Sequence, residues 1–184
     1  MKRYGGDIHN FRDEKERKRV LDKAGASEDE IADFTTYYKQ QPEFTATITG
    51  VPSEEKKDIV ADKEARVKVE VTITNFDLDL VKQFCEIESF CANDTVEGAT
   101  IEHTPNLFLI LSADNLLKSV TSIKMTDFLN TENPGKATAY FKYVPEKAGT
   151  LDLVVKGIHD TFTGVGFEQI GFIHVQGEAP VDSD

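Results

Sequence analysis

The sequence predicts a mainly β protein, a two-layer sandwich preceded by a short two-helix segment, and three observations predict it. Val67, Val69, Val71 and Ile73 alternate strictly with Arg66, Lys68, Glu70 and Thr72. That period of two, built on β-branched residues, gives a strand with one dry and one wet face and would scatter its apolar residues around a helix. Ahead of Pro42 the apolar period is helical; beyond it the period is alternating. Several further short apolar runs are separated by Gly, Pro, Asn and Asp clusters, the spacing of a sandwich.

The elements follow in order. Residues 1–10, with Gly5, Gly6 and Asn10, read as a loose lead-in. A helix is expected over Phe11–Ala24, with a short stripe of Val20, Leu21 and Ala24, and Gly25 is placed to end it as a left-handed cap. Ser27 opens a second helix and Glu30, three residues on, completes a capping box; Ile31, Phe34 and Tyr38 share one face, and Pro42 stops the run. The mixed charge of Arg12–Lys23 reads as a solvated helix face. Phe44, Ala46 and Ile48 alternate with three threonines as a first strand closed by Gly50 and Pro52, and Ser53–Asp58 is a charged loop. After the valine strand comes a turn at Asn75–Asp79. Leu107–Leu111 is continuously apolar, the pattern of a strand covered on both faces. A weaker strand is expected over Ser119–Met125. Ala137, Ala139, Phe141 and Tyr143 alternate between Asn133-Pro134-Gly135 and Pro145, and Leu151–Ile158 with Phe167–Val175 form the last pair, with Gly164 and Gly166 between them. No internal repeat is present.

The chain has 184 residues, enough for one domain with a sizeable core. Its net charge of −12 argues against binding nucleic acid or an anionic membrane surface, and a partner with basic loops is the natural complement. No apolar run approaches a membrane span, and MKRYGGDIHNF has no hydrophobic region behind its basic start, so no signal peptide is expected. Two cysteines, Cys85 and Cys91, do not make a disulfide scaffold, and a reducing compartment is expected. Six residues apart, with only His103 as a nearby third ligand, they do not form a zinc pattern. His9, His103, His159 and His174 do not cluster; His159 precedes Asp160 in an expected turn, and His174 has the place of an outward residue on an edge strand. There is no Gly-x-Ser-x-Gly elbow, phosphate-cradling loop or His-Glu-x-x-His pair, and Gly164-Val165-Gly166 is a turn between strands. No enzyme, cofactor or metal is expected.

Three stretches resemble the cytosolic C-terminal region of the J-domain translocation subunit of the endoplasmic reticulum, the Sec sixty-three family. They are Arg12-Asp13-Glu14-Lys15-Glu16-Arg17 through Gly25-Ala26-Ser27-Glu28-Asp29-Glu30-Ile31, ending at Pro42; Ile59-Val60-Ala61-Asp62 leading into Val67–Ile73; and Gly149-Thr150-Leu151 through Asp160-Thr161-Phe162-Thr163-Gly164. The family usually has Gly where Ala61 stands, and an aromatic pair, often Trp, where this Trp-free chain has His103 to Phe108. The resemblance implies an immunoglobulin/fibronectin-III-like sandwich over 43–176, a helical segment over 1–42, and an acidic disordered tail over 177–184. It implies a non-enzymatic module of the protein-translocation machinery on the cytosolic face of the endoplasmic reticulum membrane. Such a module docks on cytosolic parts of the channel and its accessory subunits; an Hsp70 chaperone engages only through a J domain outside this chain. Glu178, Asp182 and Asp184 are the partner-binding candidates by this analogy. Asp160 and Gly164 are read as turn-making residues, since Asp bonds backbone in turns and Gly accepts positive φ. The same homology region occurs in large Ski-two-like RNA helicases, including a spliceosomal one, and a scaffolding role there is the alternative. A sandwich also has open edge strands, to which a partner loop can add a strand.

Overall fold

The computed structural model describes residues 13–52, 57–82, 105–160 and 165–177. Cys85, Cys91, His9, His103, Gly164, Glu178, Asp182 and Asp184 lie outside the described residues.

Two helices lead. Helix α1 runs Glu14–Ala24, starting where the Asp13 side chain accepts a hydrogen bond from Lys15 N at 2.9 Å and ending at Gly25 with φ 86°. Helix α2 runs Glu28–Gln40 and carries the full capping box: the Glu30 carboxylate accepts from Ser27 N at 2.8 Å, and Glu30 N donates to the Ser27 hydroxyl at 3.3 Å. Val20, Leu21 and Ile31 are buried apart from the main core. One member of the charged α1 surface is not solvated: Arg17 is buried, with its guanidinium carbon 3.9 Å from the centre of the Tyr38 ring.

Seven strands follow: β1 Phe44–Val51, β2 Ala65–Ile73, β3 Asn106–Ala113, β4 Leu116–Lys124, β5 Lys136–Tyr143, β6 Gly149–His159 and β7 Gly166–Val175, with a 3-10 turn at Met125–Leu129 between β4 and β5. They form two antiparallel sheets, ordered β1-β2-β5 and β4-β3-β6-β7. The valine strand is central in the first, and its four apolar side chains are fully buried or nearly so. They meet Leu107, Leu109 and Leu111 of β3 and Leu153 and Val155 of β6 in one core shared by both sheets. Each such side chain contributes roughly 1.5–3 kcal/mol of burial before entropy.

The sheets also meet along the β1 and β7 edges. A Cβ added to Gly171 would stand 2.8 Å from the Ile48 Cβ, and one on Gly50 would stand 2.8 Å from Ile173 Cγ2. Small residues there let the two layers close. The segment after β1 ties this side down: Gln176 N donates to Ile59 O at 2.8 Å, and Ala61 N donates to Gln176 O at 2.9 Å. Among the described residues no helix is long and apolar enough to cross a membrane.

Two expectations need correction. The Leu107–Leu111 run is not covered on both faces. Leu107, Leu109 and Leu111 point into the core, but Phe108 is 43% exposed and Ile110 is half-buried, because among the described residues no second layer lies on that side of β3. His159 is not a turn residue; it ends β6 opposite Leu107, buried on the inner face.

Candidate functional site

The uncovered side of β3 belongs to a larger surface, the outer face of the four-stranded sheet. Because side chains alternate, each cross-strand row can be read from the register. The first row is Ser122, Phe108, Ile158 and Gly166 from β4, β3, β6 and β7; the next is Val120, Ile110, Lys156 and Glu168. The third is Leu117, Ser112, Val154 and Ile170, where Leu117 reaches its place through a register shift after Leu111 that leaves Lys118 as the extra residue. Below it Asp152 pairs with Phe172, and Thr150 with His174.

Eight apolar side chains therefore run obliquely across the sheet around Lys156, with Lys124 opposite Asn106 in the row beyond Phe108. Three of them are among the most exposed large apolar groups described: Ile170 at 64%, Leu117 at 65% and Phe172 at 73%. With strands about 4.8 Å apart and rows about 7 Å apart, the stripe covers roughly 14 by 20 Å. A patch near 300 Å² matches the largest apolar patch on a typical monomer, which is often functional, unlike scattered single exposures. Covering Phe172 and Ile170 alone would gain roughly 1.5–3 kcal/mol each.

The outer face of the other sheet is the contrast. There Thr45, Thr47 and Thr49 of β1 stand beside Arg66, Lys68, Glu70 and Thr72 of β2, then Lys136, Thr138, Tyr140 and Lys142 of β5. It is a wet face, with Lys68 3.1 Å from Glu70 and Lys142 3.6 Å from Glu64. A groove of about 620 Å³ lies at its end, between the 3-10 turn and β5, lined in part by Glu70, Asp127, Asn130 and Lys136. Its acids are already engaged: Asp127 accepts from Lys124 N at 3.2 Å, and Glu70 holds Lys68. Among the described residues no three His, Cys, Asp or Glu side chains come together as a metal site.

The residues singled out from the sequence are placed as follows. Asp160 joins the end of β6 to the start of β3: its Oδ2 accepts from Asn106 N at 3.0 Å, and its own N–H donates to Asn106 O at 3.0 Å. These bonds cross between strands; the loop that follows Asp160, residues 161–164, lies outside the described residues. His159 Nδ1 lies 3.6 Å from Asp160 Oδ1, within the same junction. His174 is exposed on edge strand β7, as expected, with Nδ1 3.5 Å from the Thr150 hydroxyl. At the far end of the sheet the bulged Lys118 holds Glu146 at 3.0 Å, and this hydrogen bond raises the lysine's pKa above its usual value. The apolar face itself was missed as a site. Its signal was the β3 run, whose composition suits a doubly covered strand although only one of its faces meets the core.

No protein-family model matches the chain, and no curated protein matches it. Among solved structures it is similar to the CARDB domain of a Pyrococcus furiosus protein, crystallised in complex with di-metal ions. That likeness has 13% identity, covers 74% of this chain and 90% of that one, and has a TM-score of 0.39. It is likewise similar to a β-glucosidase from Listeria innocua, at 11% identity over 74% of this chain and 16% of that one, with a TM-score of 0.33.

Proposed function

We propose that this chain is a non-enzymatic protein-binding module and that it docks through the outer face of its four-stranded sheet. The carrying observation is the oblique apolar stripe in which Phe108, Leu117, Val120, Ile158, Ile170 and Phe172 are exposed around half-buried Ile110 and Val154, in a chain whose other sheet presents mostly threonine and charge. The fold proposed within the sandwich class is fibronectin-III-like. Its support is the division of strands into three and four, with the fourth strand extending the larger sheet; in a constant-type immunoglobulin domain the fourth strand joins the first, second and fifth.

The three stretches that resemble the Sec sixty-three family support a more specific reading. The module belongs to the protein-translocation machinery on the cytosolic side of the endoplasmic reticulum membrane and docks on cytosolic loops of the channel. Binding of immobilised channel loops to the full 184-residue chain tests both levels. Wild type binds, and the double variant Ile170→Ser/Phe172→Ser loses at least about tenfold in affinity while keeping its melting temperature. Loop binding that ignores the double variant removes the docking face. Absence of loop binding by wild type removes the translocation assignment.

A further inference from the structure

The rows of the apolar face also say what kind of surface should cover it. Two of its polar side chains are acids: Asp152 stands directly opposite Phe172, and Glu168 lies two residues before Ile170 on the open edge. Lys156 is opposite Glu168, and Lys124, opposite Asn106, stands one row beyond Phe108 at the other end, so the side of the face that is left negative is the Ile170–Phe172 end beside Asp152. Of the other strand cations, Arg66, Lys68, Lys136 and Lys142 lie on the outer face of the three-stranded sheet, and Lys118 is held by Glu146. On a chain of net charge −12, the Ile170–Phe172 end of the stripe, beside Asp152 and Glu168, is the part that favours an incoming cation.

Resting on the reading of this face as a docking surface, we propose that its occupant is a basic amphipathic α-helix of a partner protein. The helix lays an apolar stripe on Phe108, Ile110, Val154, Ile170 and Phe172 and sets Lys or Arg beside Asp152 and Glu168. A stripe about 20 Å long matches roughly 13 helical residues. A broad pleated face suits a helix, since helix and sheet bury their apolar sides against one another as layers, whereas an added strand would need an edge. A second copy of the chain fits badly, because it would bring the same net charge of −12 and place acid against acid. An anionic lipid surface is opposed by the same charge.

The test uses the full chain and a fluorescent peptide of Leu and Lys, about 14 residues long, with Leu at helical i, i+3, i+4, i+7 spacing. A scrambled peptide of equal composition and a Leu/Glu helix are the comparisons. The Leu/Lys helix is expected to bind at least about tenfold more tightly than either. Ile170→Ser/Phe172→Ser removes most of that binding, and Asp152→Asn/Glu168→Gln weakens it less and flattens its salt dependence. The proposal is overturned if the scrambled peptide binds as well, or if the double serine variant keeps wild-type affinity. Equal, Phe172-dependent binding of the Leu/Glu helix keeps the docking face and removes the basic partner. A stable dimer near 0.15 M salt that Phe172→Ser dissolves makes the occupant a second copy and overturns it too.

Discussion

Gly171 and Phe172 are neighbours in sequence and opposites in role. Gly171 faces inward, where a Cβ would stand 2.8 Å from the Ile48 Cβ, so its lack of a side chain lets β1 and β7 approach. Phe172 faces outward and is 73% exposed. Gly171→Ala is therefore expected to destabilise the fold by about 1–3 kcal/mol through overpacking, and Leu109→Ala, at a fully buried site, by about 2–5 kcal/mol. Phe172→Ser should change stability by no more than about 0.5 kcal/mol. Urea unfolding of the three variants checks the order; a Phe172→Ser loss as large as that of Leu109→Ala would mean the ring is part of the core. Alternation in the sequence makes the inward residues legible, because hydrophobicity must coincide with the core side of each strand. It says nothing about which outward residues remain bare, since Phe172 and Phe108 would look the same under a covering layer. Asp160 shows the other limit: a single aspartate before a loop is compatible with many bonds, and its partner Asn106 lies 54 positions away.

At the scale of elements, local chemistry was enough wherever the stabilising partners are close in sequence. The α2 start is the clearest case, because Ser27 and Glu30 satisfy each other within one turn. That geometry has a pH signature. Hydrogen bonds from the Ser27 backbone, and secondly from its hydroxyl, hold the Glu30 carboxyl below its ordinary value of 4.5. A depressed carboxylate pKa contributes stability that is present above the ordinary value and is lost as pH falls through the depressed one. The Ser27 amide resonance should accordingly titrate with a midpoint below 4.5, and Glu30→Gln should remove that titration; a midpoint above 4.5 would contradict the cap. Ser27→Ala should cost about 1 kcal/mol of helix stability, read as faster amide exchange in the first turn. Strand β3 shows where local reading fails. Its run of five apolar residues predicts cover on both sides, but cover is a property of layers, and only one layer exists there among the described residues. The register shift at Leu111/Ser112, which brings Leu117 onto the open face, likewise depends on pairing that a single strand cannot announce.

For the whole molecule, the charge of −12 and the bare apolar stripe work against each other. Apolar faces of this size drive association, and a strongly negative chain resists meeting its own kind. Which wins depends on screening. Near 0.15 M salt, charges within about 8 Å still repel, and the chain should remain a monomer. Toward about 1 M salt the screening length falls to about 3 Å, repulsion fades, and weak self-association should appear. The attraction should come from the four-stranded sheet, so Ile170→Ser/Phe172→Ser is expected to remain monomeric at every salt concentration, while Tyr140→Ser on the wet sheet behaves as wild type. Sedimentation velocity across a salt series checks this. Association that weakens with salt would show ion pairs, not the apolar face, bringing copies together. Association that survives the double variant would place the sticky surface elsewhere. The expected pattern would let one sandwich carry several large exposed apolar side chains as a monomer, with the charge that keeps copies apart also favouring the basic partner proposed above.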